Sequence, residues 1–173
     1  IEKLFDNEAG AVVEAFKKGG ATRALNAIDA DEKEWTQISS ALYLAIIEDF
    51  GESTWDLLKS QKRPKTKAFD PWDRLIQLWV TNKAAELVTQ VKDTTKDLIR
   101  NVIAIGTEEG WGVDKIARAI KERYDGFSTR RAETIARTET VKASNYGSMA
   151  AAKQTGLEPK KVWVSSRDLR VRD

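Results

Sequence analysis

The stretch Arg131–Ser148, RAETIARTETVKASNYGS, constrains the fold of this chain more than any other. Its spacing predicts one long helix. At 3.6 residues per turn Ala132, Ile135, Ala136, Glu139, Ala143, Tyr146 and Ala150 share a face. That face is made of small residues, so whatever covers it comes close. A carboxylate, Glu139, sits in its middle. An acid on a covered face must be paired, hydrogen-bonded or protonated. Arg131, Thr138, Lys142 and Asn145 form a polar flank, and Arg137 points to the opposite side.

The rest of the chain is read as mainly α. Three Pro and ten Gly in 173 residues favour long helices over many turns. Residues 4–17 form an amphipathic helix on Leu4, Phe5, Val12, Val13 and Phe16, ended by Gly19-Gly20, with a short helical piece over Thr22–Ile28. Asp31 can cap a helix running to Ser60, with Trp35, Ile38, Leu42, Ala45 and Ile46 as its apolar stripe and Gly51 as a place to kink. This stripe is too wide to leave in water and should pack on the helices after Asp70. SQKRPKTKAF, Ser60–Phe69, reads as a solvated basic linker or a phosphate-touching arm. Asp70-Pro71 suits the start of the next helix, whose apolar face runs through Leu75, Leu78, Trp79, Val88 and Val91 and then Leu98, Ile99, Val102 and Ile103. Gly106 and Gly110 end it. Gly112 takes the N-cap place of a helix with Ile116, Ala117, Ile120 and Tyr124 inward. Gly126 stops that helix, Ser128 caps the next, and Gly156 is a C′ residue. One strand is expected, Lys161–Ser165 around Trp163, and its partners must lie elsewhere. The division is a helical region over 1–60, a linker over 61–69, and a unit over 70–173 that ends in the start of a small α+β element.

Composition narrows the chemistry. The balance of 29 basic against 27 acidic residues, net +2, does not announce a nucleic-acid binder. Zero Cys removes disulfides and thiolate metal sites and fits a reducing cytoplasm, and zero His removes the usual general base and commonest metal ligand. With no paired carboxylates at ligand spacing and no phosphate loop, no catalytic residue, metal site or cofactor site is expected. No apolar run approaches the ~18 residues of a membrane span. Trp35, Trp55, Trp72 and Trp79 read as core residues of amphipathic helices. Trp111, between two glycines, reads as a loop anchor or a partner contact. Basic residues around Arg123, Arg130-Arg131 and Lys160-Lys161 could touch DNA, but nearby acids dilute the field. Glu139 has two readings, a catalytic or metal-binding acid and a structural ion pair with Arg170 or Arg172. The pair is favoured because the rest of a catalytic site is missing.

The residues Arg131-Ala132, Ile135–Glu139, Ala143, Asn145 and Gly147, followed by Gly156, Lys160-Lys161, Val162-Trp163-Val164, Asp168, Arg170 and Arg172, resemble the signature of the phage Mu F-like minor head protein family. The resemblance extends upstream through Gly106, Gly110 and Val113–Ile120 and back to Asp70. It implies a head-morphogenesis protein of a tailed phage, present in the virion and in the host cytoplasm during assembly. It implies binding to the portal protein and procapsid components, with a role in head assembly and DNA packaging or delivery. Weak contact with packaged DNA, homo-oligomerisation and fusion to a portal protein are open within it. The implied signature residues are Arg131, Arg137, Thr138, Glu139, Asn145, Gly147, Trp163, Asp168, Arg170 and Arg172. Asp168, Arg170 and Arg172 read either as anion recognition or as an Asp-anchored turn. A chain that starts at Ile1 and stops at Asp173 within this run is expected to be part of something longer. A carrier module of a phage toxin or enzyme, or a plain DNA-binding module, is the alternative.

Overall fold

The computed structural model of the protein describes residues 1–60, 67–158 and 160. Among them the architecture is four long helices and no strand: α1 (Glu2–Asp29), α2 (Glu32–Leu58), α3 (Arg74–Glu108) and α4 (Val113–Gln154). The strand expected at Lys161–Ser165 lies outside the described residues, as does most of the linker.

α4 is the spine. Its 42 residues span about 63 Å at 1.5 Å per residue. α1 lies along its first half in the opposite direction, with Glu2 meeting Thr129 and Glu8 meeting Tyr124. α2 lies along its second half in the same direction, with Tyr43 meeting Glu139 and Ile47 meeting Gly147. α3 runs antiparallel to α4 and joins the two halves, from Asp70 beside Gln154 to Gly106 beside Ile116. One apolar core runs through all four helices. The N-terminal helices therefore pack on those after Asp70, but through a different stripe of α2 from the one expected. The buried line is Trp35, Ser39, Tyr43, Ile47, Gly51 and Trp55. Ile38 and Ala45 are exposed and Leu42 and Ile46 only half-buried. Ser39 and Gly51 are inward because α2 needs small residues where it meets its neighbours, a demand that hydrophobicity does not report. Gly51 does not kink the helix; the Phe69 ring lies over it in the space a Cβ would take.

Helix ends follow local chemistry, with three departures. The chain leaves helical geometry at Gly19-Gly20, where Gly20 has φ +68°, and resumes within α1. α3 begins at Asp73, not Asp70: the Asp73 carboxylate accepts from the Leu75 N–H at 2.8 Å, while Asp70 accepts from the Trp72 N–H and holds a preceding turn. Gly106 lies inside α3, whose end is a Schellman motif. Gly110 has φ +67°, its N–H reaches the Thr107 carbonyl, and the Trp111 N–H reaches that of Gly106. Trp111 thereby folds back over Gly106, under Lys115 at 4.0 Å. Gly112 is the N-cap of α4, and Gly156, at φ +81°, follows its end.

The third departure is the absence of a break at Gly126 and Ser128. Both are inside α4. Ser128 is buried, and packing on both sides outweighs the ~1 kcal/mol that a helical glycine costs. Nothing lies within 4 Å of a Cβ built at Gly126. Gly126→Ala should raise stability by about 0.5–1 kcal/mol in chemical denaturation. An unchanged or lower midpoint would mean that the helix is not continuous there.

Candidate functional site

Two polar clusters lie within the core, one for each half of α4. The first contains Glu139. Its side chain is on the small-residue stripe and the residue is 4% exposed. α2 covers it. The Tyr43 hydroxyl donates to Oε2 at 2.5 Å, and the Lys142 ammonium, one turn on, donates to Oε1 at 2.8 Å. Burial, and then the Glu139 carboxylate, push the Tyr43 phenol well above its ordinary range, so it stays a donor. Among the described residues the partners of Glu139 are this phenol and this lysine; the expected partners, Arg170 and Arg172, lie outside the described residues. The cover is long-range: α2, distant in sequence, lies over this face of α4. Around the pair, Trp79 meets Tyr43 edge-on at 5.4 Å and stacks on Tyr146 at 4.3 Å. The Tyr146 hydroxyl donates to the Leu75 carbonyl. Gly147 lies against the Ile47 backbone.

The remaining signature residues divide by depth. Arg131 is half-buried; it donates to the Thr95 hydroxyl at 2.9 Å and the Val91 carbonyl at 2.8 Å, and its guanidinium lies 5.3 Å from the Phe5 ring centre. Burial pulls its pKa below the ordinary value, against the opposing pull of Glu8 and Tyr124. Arg137, Thr138 and Asn145 are exposed. Arg137 approaches Glu133 at 3.8 Å. A shallow groove between α3 and α4 brings Arg131, Thr138, Glu139 and Lys142 to one strip, with Gln90 and Thr94 opposite. Trp163, Asp168, Arg170 and Arg172 lie outside the described residues. Trp72, expected in the core, is 67% exposed.

The second cluster was missed in the sequence. Lys92 of α3 is buried and pairs with both Glu8 of α1 and Asp31, which precedes α2. The Tyr124 hydroxyl of α4 donates to the other Glu8 oxygen at 2.8 Å. The lysine also lies 5.3 Å from the Trp35 ring centre. Asp31 was expected to cap α2; it holds the N-cap position, but its side chain makes no cap bond and turns to Lys92 instead. Burial raises the Glu8 pKa, against the lowering pull of Lys92 and Tyr124. Burial and Glu8 likewise push Tyr124 above its ordinary range. The signal for this cluster was present: Glu8 and Lys92 occupy inward slots, between Leu4 and Val12 and between Val88 and Thr95, as Glu139 does on α4.

Chemically, both clusters are locks. Each acid is held by a donor from another helix, with Lys142 of α4 itself added at Glu139, aromatic rings pack against both clusters, and no cluster of His, Cys, Asp or Glu fit for a metal exists among the described residues. Nor is any helix there long and apolar enough to cross a membrane.

The site and fold thus define an all-helical module whose polar signature ties one long helix to its neighbours. Residues 97–173 match the family described as Phage Mu protein F like protein. The match takes in the end of α3, the glycine turn and all of α4, and begins at Asp97, downstream of the Asp70 start read from the residues. No curated protein and no solved structure matches the chain.

Glu139→Lys should lower stability by about 2 kcal/mol, because it replaces the acceptor of the Tyr43 hydroxyl with a cation beside Lys142. Glu133→Lys, exposed on the same helix, should change it by less than about 0.5 kcal/mol. Equal small losses in thermal unfolding of the two variants would place Glu139 at the surface.

Proposed function

We propose that this protein is a phage minor head protein, a structural part of the virion or procapsid that works at the portal in head assembly and DNA packaging or delivery. The observation that supports this most is the Mu F-like match across α4 and the turn before it. The buried clusters agree with it. They spend the chain's unusual polar residues on joining helices, and the exposed signature residues Arg137, Thr138 and Asn145 remain for contact with a neighbour. Such a role works by binding, not turnover. Mixed charge on the exposed faces favours protein partners over DNA as the main contact.

The test is genetic and biochemical. In the phage or prophage that carries this reading frame, a nonsense mutation should reduce DNA-filled heads, and the protein should be found by mass spectrometry in purified heads and co-purify with the portal. Its absence from particles, with normal filled heads in the mutant, would refute the proposal. Strong DNA binding by the isolated protein that weakens steeply with salt would favour a DNA-binding module instead.

A further inference from the structure

The end of the bundle where α3 begins and α4 ends carries an apolar surface without a cover among the described residues. Trp72, in the turn before α3, and Leu75 are 67% exposed, and Leu78 is 55% exposed; the three lie three residues apart in sequence at the start of α3. Beside them, a groove between α3 and α4 is floored by Leu75, Ile76, Tyr146, Met149 and Ala150. The groove is a fixed feature. Gln154 makes a reciprocal pair with the Asp70 backbone, accepting from its N–H and donating to its carbonyl, both at 2.9 Å, and Tyr146 is bonded to the Leu75 carbonyl.

We propose that this groove is the dock of the chain's own segment Val162-Trp163-Val164. Two observations favour this occupant. The first is reach. Gly156, in the left-handed conformation, ends α4 and turns the chain off its axis. Trp163 is seven residues on, a reach of about 23 Å of extended chain. Met149 lies seven residues back from Gly156, only about 10 Å along the helix. The second is chemistry: Val162, Trp163 and Val164 are the one apolar triplet in an otherwise polar and charged run from Glu158 to Arg167. A large exposed apolar edge and an apolar segment within reach each gain by covering the other. The groove's lining carries one acid and one base, Asp73 and Lys153, so apolar contact and reach select the occupant.

The absence of cysteine from the chain makes the test clean. A Leu75→Cys/Val164→Cys double variant of the whole chain is treated with a short bis-maleimide at low protein concentration, alongside each single variant. Docking predicts a fast link within one chain. A link that forms only between chains, shown by mixing mass-labelled copies of the single variants, means that a second copy covers the groove, and it overturns the proposal. Limited trypsin digestion supplies the second readout. Leu75→Asp and Met149→Asp, both at the surface of the groove, should speed cleavage after Lys161 and Arg167 at least ~10-fold by releasing the segment. Val141→Asp, an equally open apolar site on α4 outside the groove, should not. Equal cleavage rates in wild type and the groove variants, with no link within a chain, would also overturn it.

Discussion

Replacing Lys92 with methionine should destabilise the protein by about 3–5 kcal/mol, one of the two largest losses expected from single substitutions here. The methionine fills nearly the same volume, so packing changes little. What changes is charge. Lys92 is the common cation of Glu8 and Asp31 in a space closed by Trp35, Tyr124 and Phe5. Without it, two acids remain with little solvent to compensate them. The lost stability should return in part in the triple variant Lys92→Met/Glu8→Gln/Asp31→Asn, since removing the charge together with its partners avoids the orphaned acids. A loss of less than about 1 kcal/mol in urea unfolding would mean that water reaches the cluster freely. The same cluster gives a pH signature. Glu8 has its pKa raised in the folded state, so the folded protein holds this proton more tightly than the unfolded chain. Its contribution is greatest below the unfolded value near 4.5 and is lost as pH rises through the folded value. Glu8→Gln should flatten that part of the stability profile; an unchanged slope would assign it to another group.

Gly147→Val should cost about 3 kcal/mol, at the upper end of what overpacking usually costs. A Cβ at this position would stand 2.8 Å from the Ile47 carbonyl oxygen and 3.0 Å from its Cα. These are backbone atoms of another helix, which cannot rotate aside as a side chain can. The clash should exceed any gain in helix propensity, so even Gly147→Ala should be destabilising, in contrast with Gly126→Ala on the same helix. Thermal unfolding of the three variants together separates close approach from propensity. If Gly147→Ala and Gly126→Ala both stabilised, α2 and α4 would not meet at this point. The distance between Ile47 and Gly147 is also what lets Tyr43, one turn before Ile47, reach Glu139.

Much of the helical framework was legible from the residues themselves. The interruption at Gly19-Gly20, the turn Gly110-Trp111-Gly112, the inward set Ile116, Ala117, Ile120 and Tyr124, and the terminal glycine at 156 each rest on backbone rules that act within a few residues. The segment matched as Mu F-like was legible for a related reason: its spacing of small and polar residues is dense and local. Other expectations failed where a partner distant in sequence decided the outcome. Gly126 and Ser128 look like punctuation, yet α1 and α2 pack along successive parts of α4 and keep it whole. Asp31 looks like a cap, yet Lys92, sixty-one residues away, takes its carboxylate. Asp70 looks like the cap of α3, yet it is held in a turn beside Gln154.

Local sequence therefore determined that this chain is helical, where most of its turns fall, and that the stripe through Glu139 must be covered by something close and polar. Only the tertiary structure decided what covers it. A stripe records the size and polarity that a neighbour must have, but not which neighbour supplies them. Several helices here carry suitable faces, and the choice among them is made by all the pairings at once. α2, running parallel to the second half of α4, brings Ile47 onto Gly147 and the Tyr43 hydroxyl onto Glu139. α1 and α3 meanwhile close Glu8, Asp31 and Lys92 into a second lock that no single helix displays.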